Sequence, residues 1–341
     1  MRQLHLLNHF SMDMASTLTL RTWLSQGVVN LALTSPKLVV TMTAVLVEAG
    51  PDAGAIWHFG EPNQEQRALA SGTAWADLSH RGVVSVSGPD RLSWLHSITT
   101  QDVEKLSPGI WVSSLILDAQ GHINHQFYLV DDGTTTWIHT ENSKTAELVA
   151  YLEKMKFMLR VEITDRSNNY AVLRAPGTAD AIGGPYALVT YDELDDMKSA
   201  FSQNYLQVGT WALDAERVAA GRARILFETD HKSIPNELGF LNNAVHMKKG
   251  CYPGQETVAK VFNLGKPPRR ITLLHLDGSM VAMPENGAKV EFDGKEIGFV
   301  GTVARHYELG PIALAVLKRN VPIEATLISA GVPATQELIK N

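Results

Sequence analysis

WVSSLILDAQGHINHQFYLVDDGTTTWIHT, residues 111–140, decides the fold. It breaks at AQG (119–121) and DDG (131–133) into three runs rich in β-branched and aromatic residues. Tight glycine turns between such runs predict a three-stranded antiparallel meander. Upstream, VVSVS (83–87) has strand-like content, with Val84 and Val86 on one face. Gly88-Pro89 then opens a helix, proline being suited to a first turn. Leu92, Leu95 and Ile98 follow at i, i+3 and i+6 and predict its core-facing stripe. Downstream, a helix over about 143–157 carries Leu148, Leu152 and Met155 on one side. Short strands and helices continue to about 225. They mix without a strict βαβ rhythm, which indicates an α+β class. After Pro267-Pro268 the runs ITLLHLDG, AKVEFDG, EIGFVGTVARH, PIALAVLKR and ATLIS are separated by Gly, Pro and Asp turns. That spacing predicts a small β-barrel or sandwich, with a boundary near 265–270.

A chain of 341 residues is too long for one ordinary core and calls for two or three units. Apolar residues at 45% and charged residues at 19% are enough for a sizeable core. The net charge of −6 disfavours a general nucleic-acid binder, because phosphate binding needs clustered positive charge. Direct nucleic-acid binding is therefore not expected. The longest apolar stretch, LVVTMTAVLV (38–47), is half a membrane span and holds two threonines, so no membrane association is expected. Cys251 is the single cysteine, which precludes an intrachain disulfide and fits a reducing compartment, the cytoplasm. One thiol cannot by itself hold an iron–sulfur cluster or a structural zinc, so no permanently bound metal is expected. Residues 1–41 hold nine Ser/Thr, three basic residues and one acid, Asp13. We read them as a poorly ordered extension, or an upstream start before Met42, over an organellar transit peptide, which they match in part.

The dinucleotide, Walker, H-E-x-x-H, C-x-x-C and G-x-S-x-G motifs are all absent from the sequence. The acidic run YDELDD (191–196) suits a helix start. His122 and His125 lie three apart, on opposite faces of a strand, and do not make a metal pair. Lys266, Arg269 and Arg270 surround two prolines and read as a solvated linker. KKGCYPGQE (248–256) stands apart. Two lysines beside Cys251 would favour the thiolate. Pro253-Gly254 forces a turn, and Gln255-Glu256 opens the apolar pattern of a helix whose N-terminus adds positive potential. Gly250 and Gly254 permit close backbone approach. On the residues alone, a reactive thiol and a buried structural cysteine are equal alternatives.

The stretch KGCYPGQE (Lys249, Gly250, Cys251, Tyr252, Pro253, Gly254, Gln255, Glu256) resembles the K-G-C-[FY]-x-G-Q-E signature of the YgfZ-type folate-binding proteins, relatives of the glycine-cleavage T-protein (aminomethyltransferase). DLSHRGVVSVSGPDRLSWLHSITTQDV (77–103), RVAAGRARILFETDHKSIPNE (217–237) and VAKVFNLGKPPRRITLLHLDG (258–278) resemble further blocks of that family, in order. The resemblance covers roughly residues 45–335. It implies a T-protein-like ring of two interwoven α+β subdomains (42–266) and a carboxy-terminal β-barrel (267–341), with tetrahydrofolate or a derivative near the central opening. It implies a folate-binding accessory protein for iron–sulfur cluster assembly or repair and, through iron–sulfur enzymes, tRNA modification. Its partners would be folate and iron–sulfur enzymes or assembly proteins. Cys251 is the implied chemical residue, with His125, Lys249 and Tyr252 as implied folate contacts. T-proteins carry an acidic pair after a glycine turn in the meander, where this sequence has His125 and Gln126. They also carry R-[LI]-E-A-G, whose glutamate contacts the pterin, where this sequence reads Arg217-Val218-Ala219-Ala220-Gly221. Both departures count against aminomethyl transfer. A non-catalytic scaffold and an aminomethyltransferase-like one-carbon transferase are the alternatives.

Overall fold

The computed structural model describes residues 43–280 and 282–339. The extension at 1–41 lies outside the described residues. A short hairpin, β1 (Val45–Leu46) with β2 (Ile56–His58), leads into α1 (Pro62–Ala70), which has proline in its first turn. The chain then places β3 (Ala74–Asp77) in one sheet and crosses to β4 (Gly82–Ser87) in another. Next come α2 (Arg91–Ile98) and the meander β5 (Val112–Leu117), β6 (Ile123–Asp131) and β7 (Thr135–Thr140). α3 (Asn142–Met155) and β8 (Glu162–Asp165) complete the five-stranded sheet β5-β6-β7-β4-β8. The chain then returns to the first sheet through β9 (Tyr170–Arg174) and β10 (Tyr186–Thr190), α4 (Leu194–Ser202) and β11 (Leu206–Val208), giving the order β10-β9-β3-β11. Leaving one sheet after β3 and re-entering it at β9 is what interweaves the two α+β layers.

α5 (Thr210–Ala219) and two short 3₁₀ turns lead to α6 (Gln255–Leu264). The carboxy-terminal strands are β12 (Arg269–Leu276), β13 (Lys289–Phe292), β14 (Lys295–His306), β15 (Gly310–Lys318), β16 (Leu327–Ser329) and β17 (Val332–Leu338). They close a six-stranded barrel in the order β12-β15-β14-β13-β16-β17. The predicted meander is present with turns at the predicted places. The barrel has one strand more than the five apolar runs indicated.

Two local expectations are corrected. In α2 the buried face is Trp94, Leu95 and Ile98, while Leu92 is only half-buried. Arg91 is buried on the same helix because its fork meets Asp131, with Nε to Oδ2 and Nη2 to Oδ1 both 2.9 Å. Arg269 does not belong to a solvated linker: it starts β12 and grips Asp230 at 2.6 Å and Glu237 at 2.8 Å. Two carboxylates presented to one planar guanidinium outweigh hydration of the free cation.

The cores explain how the layers hold together. Val84, Val86, Phe127, Leu129, Leu148 and Leu152 join α2 and α3 to one face of the five-stranded sheet. The barrel interior is filled by Leu274, Val290, Val300, Ala313, Ala315 and Leu327, among others. A third core runs between the layers. Ile271, Leu273, Ile312, Leu314 and Val316 point out of the barrel and pack with Ala215 and Val218 of α5 and with Leu115, Leu117 and Ile123. β12 and β15 are therefore apolar on both faces.

Candidate functional site

The alternation of β6 sorts its side chains. His125, Phe127 and Leu129 face the helices, and Gln126 and Tyr128 face the opposite way, into a cleft of about 710 Å³ counted to its open mouth. Tyr128 and Tyr186 form its aromatic wall, their ring centroids 5.4 Å apart. Behind them His139 is stacked on Tyr128 at 4.9 Å and meets Tyr186 edge-on at 4.5 Å. Burial drives His139 well below its ordinary range, so it is a neutral ring. Burial likewise raises the Tyr186 phenol, whose hydroxyl donates to the Ile182 carbonyl at 3.2 Å.

A buried ion network forms the floor. Arg224 grips Asp52 at 2.6 and 2.7 Å and Glu141 at 2.7 and 2.8 Å. Arg81 adds a bond to Glu141 at 2.6 Å, and His80 lies 2.8 Å from Asp52. Burial alone would raise Asp52, but the bonds from Arg224 and His80 outweigh it and hold the carboxyl far below its ordinary value. Burial is outweighed at Glu141 too, there by Arg81 and Arg224. Both acids are ionised and fully committed.

α5 supplies the next wall. Arg217 donates to Asp214 Oδ1 at 3.1 Å and to the wholly buried Glu228 at 3.0 Å. Burial raises the carboxyls of Asp214 and Glu216. Arg222 touches Glu216 at 3.3 Å. Arg174 is 1% exposed and donates only to backbone, to the carbonyls of Ala175 and Gly177.

The Gln126 amide is spent. Its Oε1 accepts from the Ile225 N–H at 2.7 Å and its Nε2 donates to the Ala223 carbonyl at 3.4 Å. His125 points to the other side of the sheet, 2% exposed and 3.9 Å from Glu147, and burial lowers it to about 4. Ala219 packs against the core shared with the barrel.

The signature residues lie away from this cleft. Lys249 turns inward, and its Nζ donates to the carbonyls of His96 and Thr99 at the end of α2. An ammonium there satisfies carbonyls that the helix leaves unpaired. Burial lowers Lys249 to about 8, and its Nζ sits 5.0 Å from the Tyr252 ring centroid. Tyr252 is itself part of the shared core, and burial raises it to about 12. Thus Lys249 and Tyr252 lie together, and none of His125, Lys249 and Tyr252 lines the cleft. Lys249 and Tyr252 hold the loop that presents Cys251, which is exposed, as is Glu256. Gly250 lies against His96. Gln255 starts α6 and reaches back only as far as the Lys249 carbonyl, at 3.5 Å.

Gly254 sets the loop's position. Its φ is +79°, and a Cβ there would lie 2.6 Å from the Asp118 carbonyl oxygen and 2.8 Å from Gly121 Cα, in the β5–β6 turn. Gly254→Ala is expected to cost about 2 kcal/mol or more, since strain and a backbone collision act together. Urea unfolding that shows no loss would refute this account of the contact.

Residues 55–196 match the family described as "GCVT N-terminal domain". This stretch resembles a GCVT domain. It holds both sheets up to the start of α4, so the cleft's aromatic wall belongs to it, whereas α5, Arg222 and Arg224 lie beyond it. The whole fold is aminomethyltransferase-like. The crystal structure of glycine cleavage system aminomethyltransferase T from Bartonella henselae superposes with a TM-score of 0.74, at 16% identity, over 86% of this chain and 92% of that one. An iron–sulfur cluster assembly factor IBA57 homolog, mitochondrial, of Mycosarcoma maydis is 26% identical over 250 residues, 63% of this chain and 61% of that protein. A putative chloroplastic transferase of Arabidopsis thaliana is 25% identical over 72% of this chain and 65% of that protein. The aligned parts thus span under two thirds of either relative. An aminomethyltransferase of Rippkaea orientalis is 25% identical over 77% of this chain and 83% of that protein.

Sequence reasoning missed most of the cleft. Arg174, Tyr186, Asp214, Glu216, Arg222 and Arg224 come from separate segments. A signal was available in YAVLRAP and RARILFE, where an arginine interrupts an apolar run and must find a buried partner. Among the described residues no group of three or more His, Cys, Asp or Glu side chains could hold a metal ion, and no helix is long and apolar enough to cross a membrane.

Proposed function

We propose that this chain is a YgfZ-type folate-binding accessory protein that supports iron–sulfur cluster assembly or repair and, through iron–sulfur enzymes, tRNA modification. The observation that carries this reading is Gln126. At a place where aminomethyltransferases resembling this fold keep an acid, the chain has an amide whose two polar atoms are tied to the backbone. A general base is lost while the cleft is kept, which favours binding over aminomethyl transfer. The fit to a reduced folate is chemical: an aromatic wall for a flat ring and carboxylates that accept from ring N–H donors.

The iron–sulfur part is supported by the relatives named as assembly factors and by Cys251, exposed on a loop fixed from behind by Lys249 and Tyr252. The thiol would serve a protein partner, an iron–sulfur enzyme or assembly protein, instead of the folate. The assembly-factor relative of Mycosarcoma maydis is named as mitochondrial. The single cysteine supports a reducing compartment here, and we place the protein in the cytoplasm.

The test is a tetrahydrofolate titration of the full chain, read by tryptophan quenching and calorimetry, beside complementation of a deletion strain. Cys251→Ala is expected to bind folate as the parent does, because Cys251 does not line the cleft. The same variant is expected to fail to restore iron–sulfur enzyme activity and tRNA thiolation. Full restoration by Cys251→Ala would leave a scaffold role. Absence of folate binding by the parent would remove the folate reading.

A further inference from the structure

The charges lining the cleft are not evenly matched. Five arginines and four carboxylates line the cleft, and the wholly buried Glu228 behind Arg217 makes a fifth acid, so the mismatch is local. The pairing shows where it lies. Arg224 is committed to Asp52 and Glu141, Arg81 to Glu141, and Arg217 to Asp214 and Glu228. Among the described residues Arg174 has no carboxylate in hydrogen-bond reach: two backbone carbonyls accept from its Nη atoms, and its buried Nε has no partner there. Among the described residues, the carboxylate that Arg222 reaches is Glu216, at 3.3 Å. Burial disfavours the charge on Arg174, and the Glu216 carboxylate favours it. Two arginines therefore share one carboxylate.

These groups sit at one end of the cleft. A Cβ built on Gly183 would lie 3.4 Å from the Tyr186 hydroxyl and 3.7 Å from Arg222 Nε, so arginine, glycine and tyrosine bound one opening. Glu216 and Arg222 keep 21% and 18% side-chain exposure there, so a solute reaches them.

We propose that Arg174 and Arg222 form a carboxylate-receiving subsite at this end of the cleft, with Glu216 as the internal carboxylate that an incoming anionic group displaces from Arg222. The inference rests on the folate reading, and it assigns the anionic glutamyl tail of the folate to this end. A partly buried carboxylate held at 3.3 Å makes a weak bond that a better-placed carboxylate replaces. Burial raises the Glu216 carboxyl, and Arg222 and Arg174 oppose that rise. The ligand class follows: a flat ring bearing an anionic carboxylate tail, in preference to the same ring without one.

The experiment compares tetrahydrofolate, its polyglutamylated form and tail-less 6-methyltetrahydropterin, by calorimetry, on the full chain and on Arg222→Gln and Glu216→Gln. Free glutamate and inorganic phosphate serve as competitors. The parent is expected to prefer the tailed forms. Arg222→Gln is expected to weaken tailed ligands about ten- to a hundredfold and to leave the tail-less pterin unchanged, the range for a lost charge-assisted bond. Glu216→Gln is expected to tighten the tailed ligands, because the internal competitor is neutral. Competition by phosphate as strong as by glutamate, with no preference between tailed and tail-less ligand, would overturn the tail assignment. Equal binding of tailed and tail-less ligands by all three proteins would overturn the subsite and leave the folate reading intact. Binding of neither ligand by the parent would overturn both.

Discussion

Replacing Arg224 by leucine is expected to lower the unfolding free energy by about 3–5 kcal/mol, the range for removing one partner of a buried ion pair. The size follows from what remains. Asp52 and Glu141 are 6% and 3% exposed, and each would lose two bonds to the guanidinium fork. Arg81 and His80 would still reach one acid each, so the residue is not two bare charges. The penalty is desolvation left uncompensated, which exceeds the modest net worth of the pair when intact. A midpoint shift of about 10 °C is expected. Arg224→Lys keeps the charge but cannot grip two carboxylates at once, so it should fall between parent and leucine variant. A leucine variant within about 1 kcal/mol of the parent would show that the network contributes little.

The second large effect is a pH slope centred on His125. Burial lowers its folded-state value to about 4 from the ordinary 6.5. Between these values the unfolded chain binds a proton that the folded chain does not, so stability rises with pH across the window and is lost as pH falls. A separation of this size corresponds to roughly 3 kcal/mol by pH 4. His139, also driven down by burial, acts in the same direction. Asp214 and Glu216 act in the opposite direction, because their raised carboxyls keep protons that the unfolded chain has released. The overall profile therefore mixes signs, and the difference between the parent and His125→Leu isolates one group. The variant is expected to lose less stability than the parent between pH 6.5 and 4.5, by chemical denaturation at each pH. Parallel profiles would mean that His125 is protonated in the folded state at no cost.

The meander was legible because its three runs and two turns obey local rules that tertiary packing does not oppose. The sixth barrel strand was not. In VPATQEL, Val332 and Ala334 point inward, while Pro333, Thr335 and Glu337 are exposed, and a proline with polar neighbours carries little strand signal. It forms because β12 and β16 offer it partners on either side. The signature around Cys251 was legible as a motif, while the partners of its neighbours were not. Lys249 reads as an electrostatic activator of the thiol but spends its ammonium on α2. The His125-Gln126 substitution was visible, and which of the two faces the cleft depends on the register of β6 against β5 and β7, in which Gln126 opposes Leu115.

The two-sided strands β12 and β15 bear on how such a chain can be inherited. A barrel with a polar exterior could be exchanged between genes as a cassette. Here Ile312, Leu314 and Val316 face α5 while Ala313, Ala315 and Leu317 face the barrel's own interior. A recombination crossover near Pro267-Pro268 would therefore bring in an outer wall shaped for a different helix. Substitutions at Ala215 and Val218 on one side, and at Ile312 and Leu314 on the other, are expected to be accepted only in step.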